Sequence, residues 1–286
     1  MTDDAESRLD TVKHFYAAMA AAAGGEIRDR LVRAFEFVPR EMFLGVGPWS
    51  ALSLPSGIYV ETPDADPIHV YQDALFALDR PKRIHNGEPH LHGQLLGALR
   101  PDYGHTVLHV GCGTGYYSAI LAHLIGPTGR VVAYELEPAL AERAAECLAP
   151  WETVEVVAGS GVAAALPKAD RIYVSAGATH PAPAWLDALA DGGRLVFPLS
   201  GHAPYGVYGV SLAVERTGQQ FAVTVIGRSG FINCIGATDI AEGGLVMAAL
   251  NAGALWKAKS LVRDAAPDDS AVLTGKDWWL SSRGVE

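Results

Sequence analysis

One stretch, Val107-Leu-His-Val-Gly111-Cys-Gly113-Thr-Gly115-Tyr-Tyr117, constrains the fold of this chain more than any other. A short apolar run, Thr106 to Val110, enters three closely spaced glycines, and a helical pattern, Ser118 to Ile125, leaves them. Glycines at a strand-to-helix junction let the backbone turn sharply and approach a ligand with no Cβ in the way. The free amides at the helix start favour a polar or anionic group. Sheets built from such units take their ligands at the carboxyl ends of the strands.

The spacing separates this loop from a dinucleotide fingerprint. That fingerprint places its third glycine three positions after the second, and Tyr116 stands there. Glycines at 111, 113 and 115 suit a cofactor with an amino-acid carboxylate and a sulfonium over the loop, and no pyrophosphate to cradle. Glu135 closes the next apolar run, Arg130 to Tyr134, where an acid can accept two ribose hydroxyls. Ala158-Gly-Ser160-Gly161 follows the third run, where an adenine edge would fall. The cofactor-binding candidates are therefore Gly111, Cys112, Gly113, Thr114, Gly115, Glu135, Leu136, Ser160 and Gly161. A lone glycine cluster is often only a tight turn, but here strand, helix and acid accompany it. Glu135 taken alone also reads as a solvated helix-start acid. Cys112 reads as a small loop residue, since no activating base lies near it in sequence.

Along the chain, Leu9, Val12, Phe15, Met19 and then Leu31, Ala34, Phe35 recur at helical spacing, and Gly24-Gly25 divides them into two helices. Residues 46–80 are rich in Pro and Gly, with β-like pieces such as Gly57 to Val60, and read as an irregular lobe. From Thr106, apolar runs alternate with helical patterns. Pro138 to Leu148 is a helix, and Thr153 to Val157, Asp170 to Ser175 and Gly193 to Pro198 are strands, the last two preceded by helical stretches. Alternation of this kind predicts a parallel sheet covered on both faces. Val207 to Val214 and Phe221 to Ile226 meet across Arg216-Thr-Gly218 with no helix between them, a hairpin signal, so the sheet ends in antiparallel strands. A last helix is expected from about Ile240 to Val262, then a Trp-rich tail. The expected fold class is α/β, a Rossmann-like sheet with N-terminal helices and a C-terminal helical extension. The expected divisions are 1–105 (helices and substrate-side lobe), 106–235 (cofactor domain) and 236–286 (extension).

With 286 residues, the chain is long enough to bury a core without disulfides or a structural metal. Its net charge of −10 argues against nucleic acid as partner. Cys112, Cys147 and Cys234 are odd in number and widely spaced, which signals neither a disulfide framework nor a zinc site. The opening Met-Thr-Asp-Asp-Ala-Glu is no secretory signal, and Ala17 to Ala23 is too short to span a bilayer. The expected location is the cytoplasm, with no membrane partner. His90 and His92 read as a helix-start pair that packs locally rather than as metal ligands. Trp278 and Trp279 read as anchors of the tail. Arg40 and Glu41 read as a structural pair, and Asp264, Asp268 and Asp269 as a solvated turn.

Val38-Pro-Arg-Glu-Met-Phe43, Tyr71-Gln-Asp73, Pro89-His-Leu-His92, the glycine loop, Tyr134-Glu135 and Asp191-Gly-Gly-Arg-Leu-Val-Phe-Pro198 occur in one order. Over roughly Arg28 to Cys234 the chain resembles the protein-L-isoaspartate O-methyltransferases, in particular a divergent branch with a C-terminal extension. The resemblance implies S-adenosyl-L-methionine as donor, S-adenosyl-L-homocysteine as product, and a methyl ester formed on a carboxylate of a peptide, protein or small molecule. Two departures stand out. The family usually has Ser or Thr, a hydroxyl close to donor and acceptor, where this chain has Gly87. It also tends to have an acid, bonding the adenine amino group, where this chain has Ser160. The tail from about Asp239 is extra.

A carboxylate is already ionised at neutral pH, so its methylation needs orientation and a dry site rather than a strong base. By position, the acceptor-side candidates are Asp73, Asn86, Gly87, Glu88 and His90. The open alternatives are a methyltransferase for a small molecule or a modified peptide, and a non-catalytic module that keeps the cofactor site.

Overall fold

The computed structural model describes residues 2–163, 165–202 and 207–285. Its helices are α1 (Thr2–Ala20), α2 (Arg28–Phe37), α3 (Pro89–Leu99), α4 (Tyr116–Ile125), α5 (Pro138–Leu148), α6 (Pro183–Ala188) and α7 (Ile240–Asn251). Its strands are β1 (Ser50–Ser53), β2 (Ile58–Glu61), β3 (Leu75–Asp79), β4 (Ile84–His85), β5 (Thr106–Val110), β6 (Arg130–Glu135), β7 (Val154–Ala158), β8 (Ala169–Val174), β9 (Leu189–Ser200), β10 (Val207–Thr217), β11 (Gln220–Phe231), β12 (Ser260–Arg263), β13 (Ala271–Thr274) and β14 (Trp278–Ser281). Two compact units share them: Met1–Gly104 with Cys112–Ala158, and His105–Gly111 with Gly159–Glu286.

In the first unit, α1 ends before Gly24-Gly25 and α2 starts after them, as the helical spacing predicts. The stretch read as an irregular lobe forms a small sheet in the order β2-β1-β3-β4. Further on, β6 and β7 run parallel, in register from Val131 opposite Val154 to Glu135 opposite Ala158. Helix α5 buries Leu140, Ala141, Ala144 and Leu148, one face at helical spacing. Helix α4 is buried nearly all round, which suits its uniformly apolar sequence. Each large apolar side chain fully buried this way contributes roughly 1.5–3 kcal/mol.

In the second unit the strand order is β13-β14-β12-β11-β10-β9-β8-β5. Strands β5, β8 and β9 are parallel. From β9 onward each neighbour is antiparallel, and β10 and β11 form the expected hairpin around Gly218. The fold is α/β, with parallel strands giving way to antiparallel ones. Two expectations need correction. Among the described residues no helix lies between β7 and β8; 159–163 and 165–168 are bends and loop. The expected helix to Val262 ends at Asn251, because Gly253 turns the chain with φ +70° and Ser260–Arg263 pairs as a strand with β11 and β14. The extension is therefore a helix followed by three strands rather than wholly helical. Among the described residues, no helix is long and apolar enough to cross a membrane.

Candidate active site

The glycine loop is held by its own backbone and by the strand beside it. Cys112 N–H donates to Tyr134 O at 3.1 Å, and Gly115 N–H to Cys112 O at 2.9 Å. Gly111, Gly113 and Gly115 have φ of +76°, +59° and +97°, the left-handed region that an L side chain rarely adopts. Gly115 is the N-cap of α4, so the loop runs straight into a helix start.

Glu135 ends β6 and is 8% exposed. Its Oε2 accepts the backbone N–H of Gly113 at 2.7 Å and its Oε1 that of Glu137 at 3.0 Å. Burial pushes this carboxyl above the usual glutamate range; the backbone N–H groups of Glu137, Gly113 and Leu136 pull the other way. An ionised carboxylate offers about four lone-pair positions, so these contacts leave room for two ligand hydroxyls. Leu136, the next residue, presents a 40% exposed apolar side chain beside the acid. Glu137, the N-cap of α5, pairs with Lys82, which the sequence reading did not single out.

Other loop residues face inward. Thr114 Oγ1 donates to Phe43 O at 2.6 Å and is buried. Burial, then the Glu135 charge, pushes the Cys112 thiol far above its ordinary range, so it is no thiolate. Ser160 and Gly161 lie in the second unit. Ser160 Oγ accepts the N–H of Val162 at 3.2 Å, and Gly161 O accepts Trp185 Nε1–H at 2.8 Å. Gly111, which follows β5, lies in that same unit.

Two of the acceptor-side candidates, Asn86 and Gly87, bond one buried cation. Arg40, fully buried, donates Nε–H to Asn86 Oδ1 at 3.0 Å. Its Nη1 donates to Val70 O at 2.9 Å and Gln72 O at 2.7 Å, and its Nη2 to Ala74 O at 2.8 Å and Gly87 O at 3.0 Å. All five guanidinium hydrogens are used. The expected Arg40–Glu41 pair is not formed: Glu41 accepts from Tyr71 Oη, because Arg40 turns inward to the carbonyls. Asp73 Oδ1 accepts the N–H of His90 at 2.8 Å and so caps the start of α3. His90 Nδ1 lies 3.3 Å from Met19 O, and the His92 ring stacks on Tyr117 at 3.6 Å and 4°. Gly87 has φ +91°, and a Cβ there would collide with the His92 ring. Glu88, half-buried, is pushed up by burial and then by Asp73.

Sequence reasoning ranked Asn86 and Gly87 by position and missed Arg40 as the residue that joins them. An arginine inside an apolar segment, Val38 to Phe43, was the available signal.

The sequence pattern described as protein-L-isoaspartate(D-aspartate) O-methyltransferase matches residues 22–206. A protein-L-isoaspartate O-methyltransferase of Aeropyrum pernix is 44% identical over 131 residues, 42% of this chain and 50% of that protein. This chain thus spans half the length of that relative. One of Methanothrix thermoacetophila is 30% identical over 216 residues, covering 72% of this chain and 91% of the relative. A solved protein-L-isoaspartate O-methyltransferase superposes with a TM-score of 0.61 at 23% identity, over 78% of this chain and 65% of that one, a likeness of fold.

Proposed function

The chain belongs to the protein-L-isoaspartate(D-aspartate) O-methyltransferase family, and from that premise we propose that it is an S-adenosyl-L-methionine-dependent methyltransferase forming a methyl ester on a carboxylate of a peptide or protein. The observation that carries this reading is the tie between Gly113 and Glu135, which fixes a positive-φ loop against an acid with lone pairs to spare. In this reading Glu135 accepts the ribose hydroxyls, Leu136 covers one edge of the base, and the glycine backbone lies under the amino-acid part of the donor.

When bound, the donor supplies an electrophilic methyl on a sulfonium. The chain supplies position. Arg40 stiffens residues 70–74 and 86–87 by donating to their carbonyls and to Asn86. A carboxylate oxygen needs no base to attack, so oriented backbone and exclusion of water are the terms that lower the barrier.

The acceptor we favour is a carboxylate other than isoaspartate. The support is Gly87, whose left-handed backbone and His92 neighbour leave no room for the hydroxyl usual in the family. Calorimetry with S-adenosyl-L-homocysteine, followed by transfer of a radiolabelled methyl to peptides, tests the reading. The expected label leaves as volatile methanol in mild base; a base-stable label, or no cofactor binding, overturns it.

A further inference from the structure

The β3–β4 hairpin touches the glycine loop at one point and the residue two places past Glu135 at another, and all of these residues lie in the first unit. Its two feet are fixed. One nitrogen of Arg40, Nη2, donates to Ala74 O at 2.8 Å and to Gly87 O at 3.0 Å, just before β3 and two places past β4. Asn86 N–H closes the base by donating to Phe76 O at 2.8 Å. Arg40 and Asn86 are buried, and bonds from a buried cation are among the strong ones.

Leu78 is the extra residue of this hairpin. Ala77 pairs with His85 and Asp79 with Ile84, so two steps on β3 answer one step on β4. A bulge of this kind interrupts the ladder and re-aims a side chain, and it recurs next to functional sites. Here the side chain is aimed at the glycine loop: Leu78 Cδ1 stands 3.2 Å from the place a Cβ of Gly113 would take. Gly113 is also the residue whose N–H is bonded to Glu135. Leu78 is half-buried, so it keeps apolar surface for a ligand lying on the loop.

The tip is held differently. Asp79 Oδ1 accepts the N–H of Lys82 at 3.1 Å and closes the turn. Lys82 Nζ pairs with the carboxylate of Glu137, whose own N–H donates to Glu135 Oε1 at 3.0 Å. The side chains of Lys82 and Glu137 are 53% and 30% exposed, and ion pairs so open to water are weak and screened by salt. A buried base and a weakly held tip make a strap that opens at the tip and bends about its feet.

We propose that this hairpin closes over the donor, with Leu78 packed on the donor's amino-acid end and the Lys82–Glu137 pair as the latch that slows release of S-adenosyl-L-homocysteine. The proposal rests on the donor reading above.

The test measures binding and release of tritium-labelled S-adenosyl-L-homocysteine by the full chain, in a rapid-filtration chase with the unlabelled compound. Lys82→Met is expected to release it about two- to fivefold faster, the worth of one exposed ion pair, with a Tm near that of wild type. Release from the wild type should quicken with rising NaCl, and release from Lys82→Met should not. Lys82→Glu combined with Glu137→Lys should restore slow release, which neither change does singly. Leu78→Ala should raise the Kd about tenfold through lost apolar burial. Leu78→Met, which keeps the bulk, should stay near wild type. Equal release rates and salt responses in wild type and Lys82→Met overturn the latch. An unchanged Kd in Leu78→Ala overturns the contact. Either result beside a weakened Glu135→Ala leaves the donor reading standing. No binding by the wild type removes the donor reading first and this proposal with it.

Discussion

The backbone N–H of Gly113 donates to Glu135 Oε2 across 2.7 Å, so the glycine loop and the acid that ends β6 form one rigid piece. Either element alone admits a bland reading, a tight turn or a helix-start acid. Joined, they present a positive-φ backbone and a partly used carboxylate to the same space.

Glu135→Ala should therefore weaken S-adenosyl-L-homocysteine binding twice over, by removing the acceptor of two hydroxyls and by releasing the loop. Hydrogen bonds to charged groups are worth about 1.5–3 kcal/mol each, so a loss of tenfold to a few hundredfold is expected by calorimetry. An affinity equal to wild type would remove Glu135 from the site.

The same residue sets a pH dependence. Burial raises the Glu135 pKa above its ordinary 4.5 in the free protein. As pH falls through that raised value, the carboxylate gains a proton and loses acceptor capacity for Gly113 and for ligand hydroxyls. Affinity should be complete at neutral pH and decline on the acid side, starting at a higher pH than an ordinary glutamate would give. Calorimetry across that range should show the decline in wild type and its absence in Glu135→Gln.

Gly113→Val should abolish binding while the protein stays folded. At φ +59° a side chain costs about 1–2 kcal/mol, and its Cβ would press on Leu78 Cδ1 at 3.2 Å. A lowered Tm with a cooperative transition and no detectable heat of S-adenosyl-L-homocysteine binding is the expected pair of results. Normal binding by the folded variant would reduce the loop to a turn.

Local features were the legible ones. The glycine loop, α5 and the β10–β11 hairpin are each specified by residues close together in sequence, by glycine, by helical spacing, or by two apolar runs around a turn. What escaped the sequence depends on distant partners. Arg40 finds its acceptors 30 to 47 residues away, and His180 meets Glu242 across the whole β9–β11 segment. Ser260–Arg263 looked helical because its apolar residues continue the α7 pattern; its strand partners, Phe221 and Ala222 on one side and Trp278 to Ser281 on the other, are what make it β. The roles of Ser160 and Gly161 toward a ligand were inferred by position, and position alone does not report the bonds they make to Val162 and Trp185.

Arg40→Leu should be among the most damaging single changes outside the loop. It leaves four carbonyls and Asn86 Oδ1 without their donor in a buried place, and unsatisfied buried acceptors cost about 1–3 kcal/mol each before any relaxation. Loss of cooperative unfolding, or a Tm lowered by well over 5 °C, is expected from thermal scans. A Tm within 2 °C of wild type would show that solvent or other groups replace the guanidinium, and would remove Arg40 as the tie between residues 70–74 and 86–87.

Under the proposed reading, Gly87 bears on the choice of acceptor. Restoring the family's hydroxyl by Gly87→Ser should not confer isoaspartyl methylation, because the backbone there has φ +91° and a Cβ meets the His92 ring, itself stacked on Tyr117. The substitution should instead lower the Tm, with strain in φ and the displaced ring adding together. In the wild type, the half-buried Glu88 beside Asp73 adds negative charge to the same short segment, which disfavours a second acid placed against it. Small misplacements near reacting atoms cost about a hundredfold in rate. Transfer to an isoaspartyl peptide should therefore be weak in the wild type, and no stronger in Gly87→Ser, when both are measured with a radiolabelled donor beside the matched aspartyl peptide. Robust transfer by the wild type to the isoaspartyl peptide alone would show that the missing hydroxyl is dispensable and that the chain keeps the acceptor its family is named for.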